Sequence, residues 1–186
     1  MKAWNVIVLF VIGAVMLTVF DMFHTHSGTI EYPHELVLKM AWWTPLLFGS
    51  SLAFGGLVYA SGYRAMRGDP NVPSNAALAA ALVIYAGLYC ASGYLPASNE
   101  GKLAMLLVGF AGLWWLLDRS WQGMVMAVVT AIGGCSTEFV LTRWGAFRHL
   151  QPDVVGLPVW LPGLYLVSGT VLGQLSRRVL TGKSRV

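Results

Sequence analysis

Charge is scarce in this chain. Only 11% of its 186 residues are Asp, Glu, Lys or Arg, and 56% are hydrophobic, whereas soluble domains carry roughly a quarter charged residues. Mean hydropathy is +0.64, which excludes an ordinary soluble domain and assigns the chain to the membrane class. Cysteine is scarcer still. Cys90 and Cys135 both fall within apolar stretches, so no disulfide framework is indicated, and two thiols are too few for a zinc site of their own. They are expected to pack as small hydrophobes. Long polar segments are missing, which leaves no room for a separate soluble domain. So are a serine nucleophile elbow, a glycine-rich phosphate loop, an HExxH motif and paired carboxylates at catalytic spacing. The net charge of +4 does not point to nucleic acid, because the basic residues sit at the ends of apolar runs rather than in a patch interleaved with aromatics. They are expected to set orientation and to attract anionic headgroups.

What is present is a series of apolar runs, each able to cross a hydrocarbon core of about 30 Å. They lie near 3–20, 41–60, 76–95, 102–117, 123–142 and 157–176. The expectation is an all-α fold, one polytopic domain over 1–186, built as a six-helix transmembrane bundle. The first run carries one lysine and no small-residue cleavage site follows it, so it is read as a retained helix rather than a signal peptide. With six spans, both termini share a side with the 2–3 and 4–5 loops. That side holds Lys2, Arg64, Arg67, Arg119, Arg177, Arg178, Lys183 and Arg185, and the other holds Lys39, Lys102, Arg143 and Arg148. Both termini are therefore expected to be cytoplasmic. Many of the 21 glycines fall inside spans, where small residues let helices approach closely. Gly169 and Gly173 have the spacing of a helix-dimer motif. Helices 2 and 6 both open with Trp-x-Pro, at Trp43 and Trp160. Proline costs little in a first turn, and the pair is a slight hint of internal duplication.

One stretch is more specific than a generic helix exit. Leu113-Trp114-Trp115 closes the fourth run, and Asp118-Arg119-Ser120 and Gly123 follow at once. Helix 2 opens on Trp42, Trp43 and Pro45, with Gly49, Gly56, Leu57 and Tyr59 beyond. Helix 6 is preceded by Pro152-Asp153, opens on Trp160-Leu161-Pro162, and continues to Gly169, Gly173 and Arg177. Taken together and in this order, these pieces resemble the Insig family of six-span, sterol-responsive membrane regulators, over roughly 42–178. The first helix, the first loop and the tail depart from the family. Its long hydrophilic termini have no counterpart here, as expected of a compact bacterial homologue in a plasma membrane rather than the endoplasmic reticulum.

The resemblance implies a non-enzymatic sensor that binds a lipid or sterol-like amphiphile without a cofactor or metal. Asp118, with Arg119, is the expected docking point for a membrane-protein partner. Tyr85, Trp114 and Gly169 are the expected lipid contacts, with Glu138 or Lys102 near the polar end of the ligand. The family's sterol-contacting glutamine at the start of helix 4 is replaced by Gly101 or Lys102. From the residues alone, Asp118 also reads as an interface aspartate or as the N-cap of helix 5. Glu138 stands out as the ionisable residue well inside a span, which in a membrane marks a bundle interior or a wet cavity. It is read either as paired with Arg143 or as a pocket's polar handle. The loop from Asp21 to Glu35 gathers His24, His26 and His34. The alternative function is a small metal-dependent lipid enzyme centred there. A transporter is disfavoured for want of paired broken helices, and homo-oligomerisation is left open.

Overall fold

The computed structural model describes residues 3–69 and 72–182, so the expected orientation residues Lys2, Lys183 and Arg185 lie outside it. Six long helices follow one another as α1 (Ala3–His26), α2 (Thr44–Ala65), α3 (Asn75–Tyr94), α4 (Asn99–Leu117), α5 (Trp121–Arg143) and α6 (Leu161–Thr181). Two short strands, β1 (Ile30–Glu31) and β2 (Arg148–His149), pair antiparallel beyond the bundle. The protein is an all-α polytopic membrane bundle. Exposed tryptophans mark its two ends: Trp4, Trp115 and Trp121 at the end holding the termini, Trp42 and Trp144 at the opposite end. That is where amphipathic rings settle in a bilayer.

The helix bounds follow local chemistry. Ser74, Ser98 and Ser120 each cap a helix by accepting from the amide three residues on, in Ala77, Gly101 and Gly123; this fills donors a helix start leaves unpaired. α2 and α6 place Pro45 and Pro162 in the first turn, after Trp43 and Trp160. α1 continues to His26 rather than ending near residue 20, with one π-helical turn at Gly13–Leu17. Asp21 and His24 are therefore helical and buried, not part of a polar loop.

α6 is the pole of the bundle. The other five helices all touch it, and it carries no exposed large apolar side chain, whereas every other helix does. Five helices are long and apolar enough to span a membrane by composition; α6 is not among them. Its Ser168, Thr170, Gln174, Ser176 and Arg177 are buried in protein rather than in lipid, and of these side chains Ser168, Thr170, Gln174 and Arg177 find hydrogen-bond partners within the chain, as polar groups at membrane depth must. Gly169 meets Thr130 and Ala127 of α5, and a Cβ on Gly173 would strike the Tyr59 ring of α2. The dimer-like glycine spacing thus serves packing inside one chain.

The Trp43 and Trp160 pair belongs to a much longer correspondence. One separation, 117 residues, superposes the α1–α2 hairpin on the α5–α6 hairpin. It relates Trp4 to Trp121, Asp21 to Glu138, Tyr32 to His149, Pro45 to Pro162, Ser51 to Ser168 and Gly56 to Gly173. Gly28 and Gly145, another such pair, have φ values of 72° and 71°. The Val37–Met40 bridge has its equivalent in Val154–Leu157. The two hairpins meet as a two-fold pair does, residue i on j and j on i. Glu31 pairs with its own equivalent Arg148. A Cβ on Gly56 would meet Ser176, and one on Gly173 would meet Tyr59, the equivalent of Ser176. The bundle core is a pseudo-two-fold pair of hairpins, with α3 and α4 added against one side.

Candidate functional site: a lipid-facing cavity and a clamp

A cavity of about 420 Å³ opens between α2 and α5. These two helices make few contacts with one another, and the mouth is framed by exposed Phe54, Gly55, Gly133 and Thr137. Its walls are largely apolar. α6 forms the back with Leu164, Ser168, Gly169 and Leu172, while Tyr85 and Tyr89 of α3 close the far side. Of the residues expected to contact lipid, Tyr85, Glu138 and Gly169 line this space together. The Tyr85 hydroxyl lies 2.9 Å from Ser168 Oγ, which in turn donates to the Leu164 carbonyl. Gly169 lets α5 close on α6, because a Cβ there would approach Thr130 within 2.8 Å.

Lys102 and Trp114 do not line the cavity. α4 lies on the outer side of α6, with no residue in the lining. Lys102 is buried in the first turn of α4. Trp114 is half-buried and its Nε1 donates to the Ser120 carbonyl at 2.9 Å. A helical period shows that one face of α4 is buried, but it does not show which neighbour buries it.

The polar end of the cavity lies toward the strand pair. Glu138 accepts from the Tyr165 hydroxyl at 2.6 Å and pairs with His149 Nε2 at 2.8 Å. Arg143, the partner expected from sequence, instead lies over the Phe139 ring at 5.3 Å. Glu138 also has a counterpart: the buried Asp21 accepts from the Tyr32 hydroxyl at 2.8 Å. The pairs Asp21–Tyr32 and Glu138–His149 are equivalent in the two hairpins, each acceptor eleven residues before its donor. Burial first, then Asp21, raises the Tyr32 pKa above that of an ordinary phenol, which keeps this hydroxyl a donor. Asp21, Tyr32, Glu138 and Tyr165 all reach the cavity. Sequence reading missed Asp21, Tyr32, His149 and Tyr165; the shared separation of 117 could have linked the first two to Glu138.

The histidines on which the alternative, metal-dependent reading would rest are dispersed. His24 Nε2 lies 2.9 Å from Ser92 Oγ, His26 turns back to the Met22 carbonyl, and His34 is exposed. Among the described residues, no group of three His, Cys, Asp or Glu could hold a metal ion.

The tryptophan–aspartate stretch forms a second site, at the end holding the termini. Asp118 turns inward. Its Oδ1 accepts from the Tyr63 hydroxyl of α2 at 2.8 Å and its Oδ2 from Gln174 Nε2 of α6 at 2.9 Å. Gln174 Oε1 then accepts from Arg177 at 2.8 Å, and the Arg177 guanidinium lies over the Tyr63 ring at 3.7 Å. The N-cap of α5 is Ser120, not Asp118. Gly123 is required because a Cβ there would collide with the Asp118 carboxylate. Arg119 adopts a left-handed φ of 58° and is exposed, its Nε donating to the Trp115 carbonyl. Tyr63 and Gln174 escaped sequence reading, and Arg177 entered it only as a basic helix end and a matched family position, because no local signal ties α2 and α6 to the α4–α5 turn.

The fold and the site define a class: polytopic all-α membrane bundles with an apolar cavity between their helices and carboxylates gathered at one end of it. The comparisons narrow it. No family model matches the chain. It is 27% identical to the insulin-induced gene 1 protein of Danio rerio over 184 residues, covering 96% of this chain and 73% of the relative. The Gallus gallus protein is likewise 27% identical, over 95% of this chain and 72% of its own. The crystal structure of a mycobacterial Insig homologue, MvINS from Mycobacterium vanbaalenii, matches with a TM-score of 0.85 at 21% identity. That match covers 100% of this chain and 98% of the homologue. These curated relatives and the solved neighbour are all Insig proteins, and this chain resembles them along nearly its whole length.

Proposed function

We propose that this protein is a non-enzymatic membrane regulator that binds a sterol-like or glycerolipid-like amphiphile in the cavity between α2 and α5. The observation that carries the reading is the cavity itself. It has largely apolar walls, a volume in the range of small-molecule sites, and its two carboxylates, Asp21 and Glu138, gathered at one end. The apolar body of the ligand lies along Tyr85, Leu164 and Gly169, and its polar end lies at Asp21, Glu138 and Tyr165. The tests are mass spectrometry of lipids that co-purify and their stoichiometry. One defined amphiphile near one per chain is expected, and bulk phospholipid alone would overturn the reading.

Regulation requires that the bound lipid favour one conformation or partner-bound state over another. The clamp at Asp118 suits that role, since it ties the α4–α5 turn to α2 and α6, two helices that wall the cavity. Asp118 therefore acts on a membrane-protein partner by positioning the turn, while the exposed Arg119 presents the charge. Pull-down of membrane partners with Arg119→Ala tests this, and undiminished capture would count against it. A solved structure of the mycobacterial homologue is a cross-linked trimer; self-association of this chain is read alongside it and is measurable by sedimentation in detergent. The plasma membrane of a bacterium is the proposed location.

A further inference from the structure

Two turns at the end opposite the termini expose apolar side chains instead of burying them. Each is a two-residue hairpin turn closed by a bridge, Val37 with Met40 and its equivalent Val154 with Leu157. All four central residues have left-handed φ: 55° at Leu38, 57° at Lys39, 50° at Val155 and 90° at Gly156. Such turns ordinarily take Asn, Asp or Gly, and a β-branched residue tolerates the conformation least. Here the tips carry Val37 and Leu38 in one turn and Val154 and Val155 in the other, all exposed, with Val37 at 63% and Val155 at 59%. Leu36 adds a third exposed apolar side chain to the first turn. The closing residues Met40 and Leu157 are buried, so the turns are seated in the protein and only their tips stand out.

Hydrogen bonds fix how far the turns stand from the helices. Thr25, in the last turn of α1, donates from Oγ1 to the Leu38 carbonyl at 3.2 Å. Asn99, in the first turn of α4, donates from Nδ2 to the Gln151 carbonyl at 3.1 Å and to Asp153 Oδ2 at 2.7 Å. Asp153 Oδ2 also accepts from the Val159 amide at 2.9 Å. Each turn is therefore tied to a helix end, the first to α1 and the second to α4. The indoles of Trp42 and Trp144 are exposed at the same end of the bundle, where amphipathic rings mark the boundary between headgroups and acyl chains.

We propose that these two turns are lipid-surface anchors: their apolar tips enter the headgroup layer of the leaflet at the end opposite the termini, level with Trp42 and Trp144. The bilayer is the occupant because the helices to which the tips are tied already span it. In water, exposed valine and leucine held in a conformation they resist contribute nothing favourable. At the headgroup boundary, removing their apolar surface from water offsets the backbone cost. Lys39, at the first tip, is exposed and adds a cation for headgroup phosphates, whereas its equivalent Gly156 leaves the second tip uncharged. The anchoring is independent of whether the cavity holds a ligand.

The test uses the full-length protein in phosphatidylcholine nanodiscs, where both faces are open to solvent. Cys90→Ala with Cys135→Ala provides the background, and Val37→Cys or Val155→Cys carries an environment-sensitive fluorophore. Quenching is read with phosphatidylcholine bearing a nitroxide at the headgroup or along the chain, and separately with aqueous iodide. Both tips are expected to be quenched by the nitroxide lipids, at a depth of about 5–10 Å, and to be shielded from iodide. Val108→Cys, 75% exposed in the middle of α4, supplies the deep reference. Should a labelled variant fail to fold, Leu36→Cys replaces the first and Val154→Cys the second. Iodide quenching equal to that of the free fluorophore, with none from the nitroxide lipids, places the tips in water and overturns the proposal. A fluorophore that neither quencher reaches places protein over the tips and overturns it as well.

Discussion

Replacing Asp118 by alanine should destabilise the bundle, whether or not a partner is present. The carboxylate is the common acceptor for Tyr63 and Gln174, at 2.8 and 2.9 Å. Hydrogen bonds to a charged group are worth about 1.5–3 kcal/mol each, and stranded buried donors cost about 1–3 kcal/mol. Gln174 is fully buried and Tyr63 is 2% exposed, so neither donor reaches water without movement. Asp118 itself is only half-buried, so the lower part of that range applies, and the loss is about 2–4 kcal/mol in all. Asp118→Asn should lose less, because its carbonyl oxygen still accepts from Tyr63 while its amide faces the Gln174 amide. A double-mutant cycle with Tyr63→Phe isolates the pair, with an expected coupling of about 0.5–3 kcal/mol. The assay is reversible unfolding in mixed micelles, followed by far-UV circular dichroism. Wild-type stability in Asp118→Ala, together with zero coupling to Tyr63, would refute the clamp and return Asp118 to a pure docking role.

Gly123→Ala should destabilise the same turn by a comparable amount, since its Cβ would displace the Asp118 carboxylate; combining it with Asp118→Ala should cost much less than the sum of the two in the same unfolding assay. Trp114→Phe removes the bond to the Ser120 carbonyl and should cost about 0.5–1.5 kcal/mol without changing lipid occupancy by mass spectrometry, because Trp114 lies outside the cavity. Glu138→Gln should keep a hydrogen-bonding acceptor for Tyr165 and retain the bound amphiphile. Glu138→Leu should strand the Tyr165 hydroxyl, lose the ligand and lower stability by about 1–3 kcal/mol; equal occupancy in the two Glu138 variants would contradict the polar-end assignment. Gly169→Leu should force α5 from α6 and fill the cavity, read as loss of co-purifying lipid and a lowered unfolding midpoint.

Much of the architecture is legible along the chain, because a bilayer imposes length and apolarity on every lipid-facing helix. Composition identified the membrane class, the apolar runs located the helices to within a few residues, and the Trp-Trp-x-x-Asp-Arg-Ser motif led to the family. Serine caps and first-turn prolines are local signals for the same reason: the amides they satisfy or dispense with lie within one turn. The end of α1 was misplaced because Asp21 and His24 look like loop residues until their partners Tyr32 and Ser92 are seen.

Only the tertiary structure decided what the conspicuous residues face. Asp118 is polar and lies at a helix exit in either account; its orientation inward depends on Tyr63 and Gln174, which are 55 and 56 residues away. Trp114 and Tyr85 look alike as aromatic residues within apolar runs, yet the position of α6 leaves one outside the cavity and one in its wall. Glu138 was visible as an ionisable group in a span, but its bonds to His149 and Tyr165 required the return of the chain. The repeat itself is written in the sequence, at a separation of 117, but with too few identical residues to carry weight alone. Folding makes it evident because the two hairpins meet across a pseudo-two-fold axis, where geometry repeats even though side chains have diverged.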